Sequence, residues 1–154
     1  MRSIRTKLLA GLAITVIGAF AADNTLGTWK LNMEKSKFSP SAPVKSITVT
    51  REASDDAVKT TMTGERADGT PINGSYTAKY DGKEYDVTGA PYDKISMKRV
   101  NANTFTVTQR KEGGKYRQTG RNVFSKDGKS LTATRQGTDA DGKAYSSTMI
   151  FEKQ

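Results

Sequence analysis

The chain contains no cysteine and no histidine among its 154 residues. Without cysteine there is no disulfide, no thiolate nucleophile, no iron–sulfur cluster, no thiolate zinc site and no acylated cysteine anchor. Without histidine the commonest general base and the commonest metal ligand are missing too. Proline is scarce, with four residues, and only 34% of the chain is apolar, which excludes a multi-span helical membrane protein. Acids are also in the minority: 16 against 25 lysines and arginines, a net charge of +9. The basic residues alternate with acids and form no block of five or six. They read as solvated faces rather than a nucleic-acid surface, and no nucleic-acid partner is expected.

The longest uncharged apolar run, residues 8–20, has 13 residues. That is too short for a membrane span, which needs about 20. Arg2, Arg5 and Lys7 precede it, and Ala19-Phe20-Ala21 follows with small residues at the −3 and −1 positions. This order of basic, apolar and small residues defines a secretory signal peptide, residues 1–21, cleaved after Ala21 or Ala22. Its removal takes three basic residues and lowers the net charge from +9 to +6. The expected location is periplasmic or secreted, with residues 22–154 as one domain.

After residue 22 the dominant signal is a period of two. Trp29, Leu31 and Met33 share one parity, as do Ile47 and Val49, then Val58, Thr60 and Met62, then Ile72, Gly74, Tyr76 and Ala78. Further runs end at Val87, Met97, Val107, Phe124, Ala133 and Phe151. Successive side chains of a strand leave opposite faces, so each run predicts a half-buried strand. Asp68-Gly69, Asp81-Gly82, Gly113-Gly114, Asp127-Gly128 and Asp141-Gly142 punctuate the runs as hairpin tips. The one long connection is expected at residues 34–43, with room for a helical turn around Phe38 before Pro43 ends it. Strands joined by tight turns form an antiparallel meander, and closing it removes both edges. The predicted fold is all-β: an antiparallel up-and-down β-barrel of 8–10 strands.

Gly27-Thr28-Trp29, at the head of the first strand, resembles the G-x-W opening of the lipocalin and fatty-acid-binding-protein (calycin) superfamily. The closing segments Val123–Gly137 and Ser146–Lys153 are similar in pattern to the last strands of the fatty-acid-binding branch. The chain as a whole resembles small exported bacterial lipocalin-like proteins. The resemblance implies a barrel with a central cavity for a small apolar or amphipathic ligand. It implies structural roles for Gly27 and Trp29, with Trp29 near the closed end, often under an arginine. The Arg-x-Tyr pair that holds a fatty-acid carboxylate in that branch is absent, because Met149 and Phe151 stand at those positions.

Parity sends Met62, Tyr76, Met97, Phe105, Tyr116, Tyr145 and Met149 inward as candidate ligand-lining residues. Core packing accounts for the same residues. Gly74, Ala78, Gly120, Ala133 and Ser147 are small residues on the same faces, leaving room for a cavity or for sheet bending. Arg99 and Arg135 continue inward parities. Each either orients an anionic group of a ligand or lies near a strand end, reaching water or stacking on Trp29. Asp139-Ala140-Asp141-Gly142 has only a fragment of a calcium loop, since Gly137 stands where the first acid would be. It reads as a hairpin, and neither a metal nor a cofactor is expected. No G-x-S-x-G, S-x-x-K or phosphate-loop motif occurs, and most acids fall at turn tips. The sequence therefore reads as an exported ligand-binding barrel rather than an enzyme. The alternative is a filled barrel acting as an envelope interaction or inhibitor module.

Overall fold

The computed structural model describes residues 23–154. The expected signal peptide, residues 1–21, lies outside the described residues. Ten strands follow in order: β1 (Gly27–Ser39), β2 (Val44–Ser54), β3 (Ala57–Arg66), β4 (Pro71–Ala78), β5 (Asp81–Thr88), β6 (Lys94–Arg99), β7 (Thr104–Arg110), β8 (Arg117–Phe124), β9 (Ser130–Thr138) and β10 (Ala144–Lys153). Each is hydrogen-bonded to its chain neighbours, and β1 also pairs with β10. Every pairing is antiparallel, so the sheet is a closed up-and-down barrel. Closure pairs β1 with β10, the two strands that would be the free edges of an open ten-strand meander.

The alternation read from the sequence sorts side chains between interior and solvent. Along β7, Phe105, Val107 and Gln109 are buried; along β9, Leu131, Ala133 and Arg135 are. One apolar cluster gathers Trp29, Leu31, Phe105, Phe124, Leu131 and Phe151. A second gathers Met62, Ala78, Val87, Tyr92, Ile95, Met97 and Val107.

The stretch expected as a long connection is instead mostly strand. β1 runs through to Ser39, and only residues 40–43 link it to β2. The register with β10 slips between Asn32 and Lys37. In that bulge Ser36 Oγ takes over ladder bonding: it donates to Asn32 O at 2.6 Å and accepts from Ile150 N at 2.9 Å. Asn32 Oδ1 accepts from Lys35 N at 3.0 Å. Side chains thus bridge the irregularity, and the chain stays extended where a helical turn was expected. Beyond Lys30, β1 has no ladder partner on β2, whose pairing with it stops at Lys30↔Thr48.

The end of the barrel where Gly27 and Lys153 meet is sealed. Trp29 is fully buried and meets Phe124 edge-on at 5.1 Å. Its cationic cover is Lys153, with Nζ 5.2 Å from the ring centroid, rather than the expected arginine. Gly27 makes room for that cover. At φ +112° a Cβ there would lie 2.8 Å from Lys153 Cε, so a side chain at position 27 would be strained and would displace the lysine. Arg51 lies just inside, only 3% exposed, with its guanidinium 5.3 Å from the Phe124 centroid.

Candidate functional site

A cavity of about 420 Å³ occupies the barrel on the side of β2, β3 and β8–β10. It runs from Arg51, which forms its floor, toward Pro40, Pro43, Gly89, Pro91 and Ala140 on the loops of the opposite end. Its volume lies within the range of small-molecule sites. The walls differ in chemistry. Ile47 and Val49 on β2, Met62 on β3, Ile72 on β4 and Met149 and Phe151 on β10 make an apolar side. Gln109 on β7, Gln118 and Asn122 on β8 and Arg135 on β9 make a polar side. Tyr76, Tyr92, Tyr116 and Tyr145 border the same space, with Tyr92 and Tyr116 stacked at 5.5 Å.

Arg135 carries the only charge on that polar strip. It is 8% exposed. Its Nη2 donates to Asn122 Oδ1 at 2.9 Å, and its Nη1 donates to Thr134 O at 2.6 Å and Arg121 O at 3.4 Å. Its Nε has no partner. All its acceptors are neutral, and among the described residues no carboxylate pairs with it. Burial draws the guanidinium below the usual arginine value, an effect the surrounding phenols partly offset. Burial likewise pushes the Tyr92 and Tyr116 phenols far above the ordinary value of 10. Tyr92 is further held by its hydroxyl's donation to Met62 Sδ at 3.7 Å.

Arg135 is positioned by the close approach of β8 and β9. Gly120 faces it across the ladder. A Cβ on Gly120 would fall 1.8 Å from Thr134 O, the same carbonyl that accepts from Arg135. Only glycine lets the two strands approach this closely.

Of the candidate lining residues, Met62, Tyr76, Tyr116, Arg135, Tyr145 and Met149 border the cavity. Met97 and Phe105 do not; each is 1% exposed and packs in the filled half of the barrel. Arg99 lies at a strand end in reach of water and does not border the cavity. β6 ends at this residue, and its exposed side chain lies over the Phe105 and Tyr80 rings at 4.7 and 5.2 Å, not over Trp29. Of the small residues, Ala133 borders the cavity.

Arg51, Gln109, Gln118, Asn122 and Tyr92 were not singled out from the sequence. Parity holds the signal for four of them: Arg51 follows Ile47 and Val49, Gln109 follows Phe105 and Val107, and Gln118 and Asn122 precede Phe124 at even spacing. Tyr92 sits in the β5–β6 loop, where no period applies. The Asp139 carboxylate at the rim is engaged by its own hairpin, accepting from Asp141 N and Lys143 N at 2.9 Å each.

No family model matches the chain, and no curated protein matches it. Among solved structures it is similar to EF1p2_mFAP2b bound to DFHBI, at 14% identity and a TM-score of 0.49, covering 87% of this chain and 97% of that one. It is also similar to mFAP1, a redesigned β-barrel bound to DFHBI, at 13% identity and a TM-score of 0.45, covering 86% of this chain and all of that one.

Proposed function

We propose that the protein is an exported, calycin-like binding barrel that carries one small amphipathic molecule in its interior. The observation that carries this reading is the cavity of about 420 Å³ between an apolar and a polar wall. A barrel serving only as an interaction scaffold has no use for such a space, because filling it with side chains stabilises the fold. Binding would bury ligand apolar area against Met62, Ile72 and Met149 at about 25 cal/mol per Å² before entropy losses. The G-x-W opening, the ten-strand up-and-down topology and the sealed end under Trp29 support the calycin assignment. Residues 1–21 support export by their composition.

The test is titration of the purified protein with a neutral apolar fluorophore such as N-phenyl-1-naphthylamine, with native mass spectrometry of the complex. Saturable one-to-one binding, lost in Ala133→Phe while the unfolding midpoint is retained, is the expected result. Ala133 borders the cavity, so a phenyl group there fills it. Absence of saturable binding, with nothing released on solvent extraction of the protein from its native host, would overturn the reading.

A further inference from the structure

The polar wall contains more hydrogen-bonding capacity than the fold uses. Gln109 and Gln118 stand directly opposite each other on β7 and β8. They are 8% and 4% exposed, and both border the cavity. Among the described residues neither side-chain amide makes a hydrogen bond within the fold, and neither is enclosed by protein on all sides, so both open onto the cavity. Arg135 lies diagonally across from Gln118 on the next strand, since Gln118 pairs with Gly137 and Arg135 with Gly120. Diagonal neighbours are about 7–8 Å apart, within joint reach of one small group. Asn122 completes the strip, with its Oδ1 already committed to Arg135.

The strip therefore presents one full positive charge and two free carboxamides, with no acid on it. A buried guanidinium with only neutral acceptors lacks its electrostatic complement. We infer that the molecule carried in the barrel is an organic anion of the carboxylate class, its charged oxygens held jointly by Arg135 and by the side-chain amides of Gln118 and Gln109. This rests on the carrier reading and specifies its ligand. The apolar body of the ligand then lies against Met62, Ile72 and Met149, so the two walls orient it. A neutral ligand of the same shape satisfies the apolar wall but leaves the guanidinium without a counter-charge. The discrimination comes from the charge-assisted bond, which is about twice as strong as a neutral one.

The experiment compares 2-naphthoate with 2-naphthalenemethanol, which share a ring system and differ in charge, by calorimetric titration of the wild-type protein. The acid is expected to bind at least about tenfold more tightly than the alcohol, as a hydrogen bond to a charged group implies. Gln118→Leu removes an amide that makes no bond within the fold, so folding is retained. It is expected to weaken the acid about tenfold and the alcohol by no more than about twofold. In the unmutated protein, the Arg135 Nε–H resonance is expected to shift with the acid and stay in place with the alcohol. Equal affinity for both probes, with an unmoved arginine resonance, overturns the anion assignment and leaves the carrier reading standing. Failure of both probes to bind overturns both.

Discussion

Trp29 and Arg51 converge on one atom: the indole Nε1 and the guanidinium Nε both donate to the carbonyl oxygen of Thr25, at 3.3 and 2.8 Å. The same guanidinium donates through Nη2 to the Tyr80 hydroxyl. Tyr80 in turn packs on Phe105 with centroids 4.3 Å apart. The segment before β1 is thereby tied to β2, and through Tyr80 to the β4–β5 connection. β4 and β5 themselves pair only at Ser75↔Thr88 and Tyr76↔Val87. The seal depends on packing and on a shared acceptor, not on a long ladder.

Trp29→Ala is expected to cost about 3–5 kcal/mol, as for a large core ring removed. Urea unfolding measures it. Val100→Ala, at an exposed turn position, is the control and should stay within about 0.5 kcal/mol.

The single tryptophan lies in the sealed end and does not border the cavity. Its emission is expected to be blue-shifted in the native state and poorly quenched by acrylamide. A non-absorbing apolar ligand such as decanol should leave that emission unchanged while altering tyrosine emission excited at shorter wavelength. A large shift in the Trp29 spectrum would place the ligand at the sealed end.

Alkali is expected to unfold the protein through its phenols. The folded-state pKa values of Tyr92 and Tyr116 are raised far above 10 by burial. Above about pH 10 the unfolded chain releases these protons and the native state holds them, so stability is complete below that pH and falls as pH rises. Each phenol costs the fold up to about 1.4 kcal/mol per pH unit in that range. Thermal unfolding between pH 8 and 12 checks this. Tyr116→Phe should reduce the slope.

Gly120→Ala is expected to destabilise by about 1–3 kcal/mol, the usual range for overpacking. The new methyl would press on Thr134 O and so move the acceptor of Arg135 Nη1. Chemical unfolding gives the stability loss. Affinity for 2-naphthoate should fall more than affinity for 2-naphthalenemethanol.

The barrel was legible because alternation and turn chemistry agree: apolar parity runs through Ile95 and Met97 or Leu131 and Ala133, and Asp-Gly tips separate the runs. Polar residues at inward positions were harder to read. Gln109 and Gln118 continue the parity of buried neighbours, but a glutamine on a strand ordinarily faces water, and only the closed barrel turns it inward. Parity carries Arg99 to the same face as Phe105, but at the end of β6, so its guanidinium caps the Phe105 and Tyr80 rings in reach of water instead of entering the cavity. The bulge in β1 was hidden because it depends on a serine hydroxyl standing in for a backbone group, which no period announces.

The pairing of Trp29 with Lys153, reinforced by donation from Gln154 N to Thr28 O at 2.9 Å, joins the two ends of the described chain. Contacts so remote in sequence cannot form until β10 has been made, and the loop entropy they must overcome makes such topologies slow to fold. Until that ladder zips, β1 and β10 each present one open edge to a neighbouring chain. The nascent molecule is then most vulnerable to aggregation, and a chaperone that shields either terminal strand would raise its yield.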